Sequence, residues 1–328
     1  MSGSEMNRRE FMASGLVCAA GLAIGAPALA ASYPSKPIRL VVAFAPGGAT
    51  DTVARLVSPY LSEALGTPVI VENKPGANGA IANSAVKNAA PDGHTLLLSN
   101  SSFIVATPHG ATDADVNPVT DLKHIVMFAT GRLILLTSPA LKDMSLEDIV
   151  AQSKADPRAF ANAAPGIGSI NELAFEMFQR AVGSQIITAQ YAGTGPIMTD
   201  LLADRVNMTV AAEASAEPYL KEDSLGALCT FGAERSAFLP DVPSSRELGI
   251  EGLDDLMFWN GLHAPAGIPA EIVVQLEEAF ARILENENLQ QRLADMRLKT
   301  VLLQGEDFER RVQQDWDMFG KIYRQTHG

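Results

Sequence analysis

Three features of this 328-residue sequence predict an α/β fold. Short continuous apolar runs such as Ile38–Phe44 have the length and composition of strands buried on both faces. They alternate with segments whose apolar residues recur at helical spacing. Short turns rich in Gly and Pro separate the two, and this alternation is the pattern of mostly parallel sheets flanked by helices.

The first strand ends at Pro46-Gly47-Gly48, and the helix after it carries Val53, Leu56, Val57, Tyr60, Leu61, Ala64 and Leu65 on one face, with Thr50 or Asp51 as its cap. Pro68–Val71 is expected as a strand, Pro75–Gly79 as a loop and Ala80–Ala89 as a helix. Thr95–Leu98 is a third strand, ending in the polar run Ser99–Ser102. Strands at His124–Ala129 and Leu133–Thr137 flank Thr130-Gly131-Arg132, and Ser145 with Asp148 has the spacing of a capping box that opens a helix to Ala155. Two further strand–turn–helix junctions follow. Phe160–Ala164 runs into Pro165-Gly166-Ile167-Gly168-Ser169 and a helix over Ile170–Val182. Ile186–Tyr191 runs into Ala192-Gly193-Thr194-Gly195 and a helix over Pro196–Ala203, where proline is tolerated in the first turn. Strands at Val206–Ala211, Gly226–Thr230 and Phe258–Ala264, and helices at Ala270–Glu285, Leu289–Met296 and Glu306–Arg324, complete the chain.

A helix start offers unpaired N–H groups and a partial positive charge, so a glycine turn there can hold a carboxylate or phosphate without any basic side chain. One such junction serves as a plain turn as readily as a cradle. Three junctions that converged would present several helix starts to one cleft. Ser99 and Ser101 stand at the carboxyl end of a strand, where ligands bind in open α/β sheets.

The formal charge of −13 and pI near 4.8 argue against nucleic acid or an anionic membrane as partner. An anionic ligand must therefore be attracted by local backbone dipoles, because the overall field opposes it. Neither Gly166-Ile167-Gly168-Ser169-Ile170-Asn171 nor Gly193-Thr194-Gly195-Pro196-Ile197-Met198 has the third glycine of a dinucleotide fingerprint, and the opening loop has no Gly-Lys-Ser/Thr. His94, His109, His124, His263 and His327 all lie outside the glycine junctions, which leaves acid–base and nucleophilic catalysis without its usual groups. Asp51, Asp200 and Glu213 are the carboxylates expected near a cleft, and an acid in a first helical turn is commonly a cap. An enzyme is not expected, nor is a cofactor or a metal.

At the N-terminus, Asn7-Arg8-Arg9-Glu10-Phe11-Met12 precedes an Ala/Gly-rich apolar stretch and the small-x-small site Ala28-Leu29-Ala30, so residues 1–30 read as a secretory signal. The arginine pair resembles a twin-arginine export signal, with Ala13 where a lysine is common; the ordinary secretory route is the alternative. Cleavage leaves a chain of about 300 residues, which suits two lobes. Cys229 is then its only cysteine, leaving no intramolecular disulfide.

Tyr33-Pro34-x-Lys36-Pro37-Ile38, Phe44-x-Pro46-Gly47-Gly48-x-x-Asp51, Val71-Glu72-Asn73-Lys74-Pro75-Gly76-Ala77-x-Gly79 and Pro91-Asp92-Gly93-His94-Thr95-Leu96 resemble the Bug family, the extracytoplasmic solute receptors of tripartite tricarboxylate transporters. Tyr191-Ala192-Gly193-Thr194-Gly195-Pro196, Leu239-Pro240-Asp241-Val242-Pro243 and His263-Ala264-Pro265-Ala266-Gly267-Ile268-Pro269 stand in family order, so the resemblance covers essentially the whole chain after the signal. It implies a two-lobed periplasmic binding protein of type II that closes like a hinged trap on a small carboxylate and presents it to membrane permease subunits. Lobe one is expected over residues 31–130 plus 234–328 and lobe two over 131–233. A monomer is expected. Signalling to a membrane kinase is the alternative role, and an exported hydrolase or isomerase the alternative class.

Carried over position by position, the resemblance points to Phe44, Gly47, Gly48 and Asp51 from lobe one and to Gly168, Ser169, Thr194 and Gly195 from lobe two, with Ser99 and Ser101 at the far end of the ligand. The sequence departs from the family pattern at Ala163, Ala164, Glu172 and Glu213. A carboxylate facing the cleft would repel a second ligand carboxylate, so a monocarboxylate, an amino acid or an aromatic acid is favoured over citrate. Glu172 is expected to point to solvent.

Overall fold

The computed structural model describes residues 33–76, 79–110 and 117–328. The export signal read at residues 1–30 lies outside the described residues.

In β1 (Ile38–Val42) the side chains of Ile38, Leu40, Val41 and Val42 are fully buried, and the exposed Arg39 pairs with Glu72 at 2.7 Å. At roughly 1.5–3 kcal/mol per fully buried aliphatic side chain, such a run is stable only inside a sheet. It lies between β2 (Val69–Asn73) and β3 (Thr95–Asn100), parallel to both. Beyond β3 come β10 (Phe258–Pro265), β4 (Leu122–Gly131) and β11 (Lys299–Gln304), each antiparallel to its neighbour. The second sheet has the order β7 (Ile187–Gln190), β6 (Ala161–Ala164), β8 (Met208–Ala212), β5 (Leu133–Thr137), β9 (Gly226–Thr230).

The expectation of mostly parallel sheets is refined to mixed pairing, and the cause is how the chain crosses. β4 passes through Arg132 alone into β5, so a strand that leaves the first sheet runs straight on into the second, opposite to β8 and β9. β10 makes the return, and enters between β3 and β4 against both.

On one face of the first sheet, α1 (Ala49–Leu65) and α8 (Ala270–Leu284) bury Val53, Leu56, Val57, Leu61, Leu276 and Phe280 against Leu40, Val42, Leu96 and Leu98. On the other, α2 (Ala80–Lys87), a π-turn at Ser102–Ala106 and α10 (Gly305–His327) cover Val41 and Leu97 around Trp259 and Phe308. That cluster continues into the second sheet through Phe175, Phe178 and Phe231. α10 reaches α5 (Ile170–Val182), where Arg180 Nη2 donates to the carbonyl of Gln325 at 2.8 Å.

Two elements of the structure have weak signals in the sequence. β11 is a short edge strand whose Val301 and Leu303 pack inward while Leu302 is exposed. α7 (Glu213–Lys221) contains Pro218, a residue that argues against a helix interior, although here it falls late in a short helix.

Between β4 and β10, His124 and His263 face each other with their Nδ1 atoms 2.8 Å apart, both buried against Phe308. One must donate and the other accept, so the accepting ring is neutral, and burial disfavours a charge on its partner. Burial lowers His124 from 6.5 to about 4, against the opposing pull of the Glu309 carboxylate and the Val119 backbone, and holds His263 well below its ordinary value. A depressed histidine favours the fold above pH 6.5, where it is neutral in both states. As pH falls toward 4 the unfolded chain binds more protons, and roughly 3 kcal/mol of stability is lost through His124 alone. Denaturant titrations at pH 7.5 and 4.5 are expected to show this loss, and the double substitution His124→Leu/His263→Leu to flatten it; an unchanged slope would remove the pair as its origin.

Candidate ligand-binding site

The three glycine junctions converge. A cavity of about 630 Å³ lies between the sheets, lined by Phe44, Ala45, Ala49 and Thr50 of the β1–α1 junction, by Gly166, Ile167 and Ser169 of the β6–α5 junction, and by Thr194, the first residue of α6 (Thr194–Leu202). Its size is typical of sites for small molecules. Ser102 Oγ accepts the N–H of Ile170 across the cleft at 3.4 Å, so the two walls already touch.

Two of the junctions are built alike. In the first, Asp51 lies in the opening turn of α1 and reaches back: its Oδ2 accepts the Gly47 N–H at 2.9 Å and its Oδ1 accepts Asn73 Nδ2 at 2.8 Å. Asn73 ends β2, the strand beside β1. In the second, Glu172 lies in the opening turn of α5, and its Oε2 accepts the Gly168 N–H at 2.6 Å while its Oε1 accepts Gln190 Nε2. Gln190 ends β7, the strand beside β6. An Asp–Asn pair and a Glu–Gln pair thus perform the same task, each tying a glycine turn to the neighbouring strand. Arg55 adds a third donor to Asp51 at 2.9 Å; its hydrogen bond, helped by Gly47 and Asn73, outweighs burial and brings the Asp51 carboxyl down to about 2.

These clamps determine which N–H groups remain for a ligand. Gly47 and Gly168 give theirs to Asp51 and Glu172, and Gly48 donates to the Ala45 carbonyl at 3.3 Å, so none of these three expected glycines has a donor to spare. α5 is closed further by Ser169 Oγ, which accepts from Glu172 N, and by the Ser102 contact to Ile170. α1 and α6 have no side-chain cap. Among the described residues, no acceptor takes the N–H groups of Ala49, Thr50, Thr194 or Gly195.

Of the residues expected from sequence, Phe44, Ser169 and Thr194 line the cavity, while Gly47, Gly48 and Gly168 belong to the turns around it and Gly195 to the start of α6. Asp51, 2 % exposed, lies behind its loop. Glu172, 3 % exposed, points neither to solvent nor into the cavity but under the Gly168 turn. Glu213, 2 % exposed, gives its carboxylate to the Ser236 hydroxyl near Arg132, and burial raises its pKa. Ser99 in β3 and Ser101 just after it are fully buried and do not line the cavity; Ser101 Oγ accepts the N–H of Trp259 at 3.2 Å.

Asn100 and Ser102 line the cavity instead. Asn100 Nδ2 donates to Thr50 Oγ1 at 2.8 Å, and its Oδ1 accepts the Phe103 N–H. With its oxygen engaged, the Thr50 hydroxyl keeps its proton free for an acceptor in the cleft. Phe103, Asn171, Ser215 and Phe258 are further wall residues that sequence reasoning missed. The fully apolar run before Ser99 carries no alternation from which the cleft-facing parity could be read.

Residues 53–327 match the model of the family described as the tripartite tricarboxylate transporter family receptor. The chain is 34 % identical to protein BugT of Bordetella pertussis over 282 residues, 86 % of each chain. In structure it resembles MatC of Rhodopseudomonas palustris with bound malate, with a TM-score of 0.74 and 28 % identity over 89 % of this chain and 100 % of that one. It also resembles an R. palustris protein with adipate, with a TM-score of 0.78 and 26 % identity over 89 % of this chain and 97 % of the other. On sequence and fold together, the chain belongs to the tripartite tricarboxylate transporter receptor family of periplasmic binding proteins.

Proposed function

We propose that this receptor captures a small carboxylate between its two lobes in the periplasm and delivers it, chemically unchanged, to the permease subunits of a tripartite tricarboxylate-type transporter. The observation that carries the reading is the pair of uncapped helix starts, α1 and α6, facing one cavity with their N–H groups unengaged. Such groups hold a carboxylate without basic side chains, and among the described residues no charged side chain lines the cavity. The malate and adipate carried by the two structural relatives agree with an organic acid as ligand. The amino acid favoured by a cleft-facing carboxylate loses its support, because Glu172 and Glu213 are buried and engaged elsewhere, and a monocarboxylate or an aromatic acid fits this chain better than citrate.

The lobes are residues 31–130 plus 234–328 and residues 131–233, working as a monomer, with export by the twin-arginine route. Phe44, Thr50, Ser169 and Thr194 contact the ligand, while Asp51 and Glu172 shape the turns.

Calorimetry against a panel of small carboxylates is expected to give at least one ligand at micromolar or tighter affinity. Binding only of uncharged solutes would refute the reading. Ala49 is exposed in the first turn of α1, where leucine is well tolerated, so Ala49→Leu is expected to keep the melting temperature and to weaken the best ligand on the order of 100-fold. Unchanged affinity would take α1 out of the site.

A further inference from the structure

We infer that the ligand is an aromatic monocarboxylate whose ring substituents are uncharged, a narrowing that rests on the carboxylate reading above. Apart from the helix-start N–H groups, much of the wall is apolar and aromatic. Phe44 and Phe103 meet at a tilt of 59° with centroids 5.9 Å apart, and Phe258 enters from the strand that returns from the second sheet. Ile167, well exposed, lines the cavity from the β6–α5 junction, with Leu133 and Ile170 buried behind the wall. Rings stack against such surfaces with a gain of about 0.5–1.5 kcal/mol beyond burial alone.

Charge excludes the neighbouring ligand classes. An amino acid needs a carboxylate for its ammonium, but Asp51, Glu172 and Glu213 are each buried and engaged within the protein. A dicarboxylate brings a second charge to its far end, where the wall offers no cation and only neutral hydroxyls; a buried carboxylate without a strong partner costs several kcal/mol. Neutral partners for a ring hydroxyl are present. Asn171 spends its amide on the Val210 carbonyl at 2.7 Å, which leaves its Oδ1 as an acceptor, and Ser215 stands nearby on α7.

The test is calorimetric titration of the purified protein with 4-hydroxybenzoate, terephthalate, L-phenylalanine, adipate and hexanoate. 4-Hydroxybenzoate is expected to bind at least about tenfold more tightly than each of the others. Equal or tighter binding of terephthalate, adipate or L-phenylalanine overturns the inference while leaving the carboxylate reading intact, and equal binding of hexanoate removes the aromatic requirement. Absence of binding by every carboxylate defeats both. Phe258→Leu keeps apolar bulk but removes a ring; it is expected to weaken 4-hydroxybenzoate about fivefold and hexanoate less than about twofold. Equal weakening of both would also count against the inference.

Discussion

Gly79→Ala is expected to melt about 8 °C below the parent protein, whereas Gly66→Ala loses only about 2 °C. Both glycines have positive φ, +86° and +67°, so both substitutions carry the strain of an L-residue in the left-handed region, about 1 kcal/mol. They differ in what a methyl group would meet. At Gly66 nothing lies within 4 Å, while at Gly79 the new Cβ would fall 1.2 Å from Phe103 Cε2. Phe103 is 4 % exposed, and displacing it forfeits much of a buried aromatic side chain, which brings the total to about 3–4 kcal/mol. Because Phe103 also lines the cavity, ligand affinity is expected to fall with stability in Gly79→Ala and to hold in Gly66→Ala. Equal melting temperatures for the two variants would show that the ring is not seated on Gly79.

Much of the fold was legible because the local signals are strong and agree with one another. The apolar run at β1, the amphipathic faces of α1 and α8 and the glycine turns before α1, α5 and α6 each specify their element locally. The site was legible only to the level of which turns meet. Which amides in those turns remain free depends on Asn73 and Gln190, which lie 22 and 18 residues from the acids they contact, and no short-range pattern links such pairs. The same holds for Glu172. A carboxylate in a first helical turn is a cap, a cleft group or a surface group by local rules, and only the strand beside it decides among them.

The two acid clamps are expected to respond differently when a carboxylate becomes a carboxamide. In Asp51→Asn the new NH₂ must face one of three donors: the Gly47 N–H, Arg55 or Asn73. Asn73 cannot turn its oxygen toward it, because its Nδ2 also serves the Phe44 carbonyl at 2.9 Å and its Oδ1 takes Arg55 Nη2 at 3.0 Å. A donor is therefore left against a donor, at a cost of about 2–3 kcal/mol, and the loop that positions Ala49 and Thr50 loosens, with affinity falling on the order of 100-fold. In Glu172→Gln the frustration is relieved by a single rotation. The Gln190 side chain is exposed and has no other hydrogen-bond partner among the described residues, so its amide can flip and accept from the new NH₂ while Gly168 keeps its acceptor; His327 Nε2, 3.5 Å from the same Glu172 oxygen, is an acceptor too when the ring gives its Nδ1–H to the Tyr323 carbonyl. That variant is expected to bind within about threefold of the parent. The contrast extends to acid. Asp51 is depressed to about 2, so its contribution is present above the ordinary carboxylate value of 3.8 and is lost only as pH falls from there toward 2. Above pH 4, the loss in Asp51→Asn is therefore expected to stay constant in calorimetric titrations. Comparable losses in both would mean that the Gln190 amide is fixed by something other than Glu172.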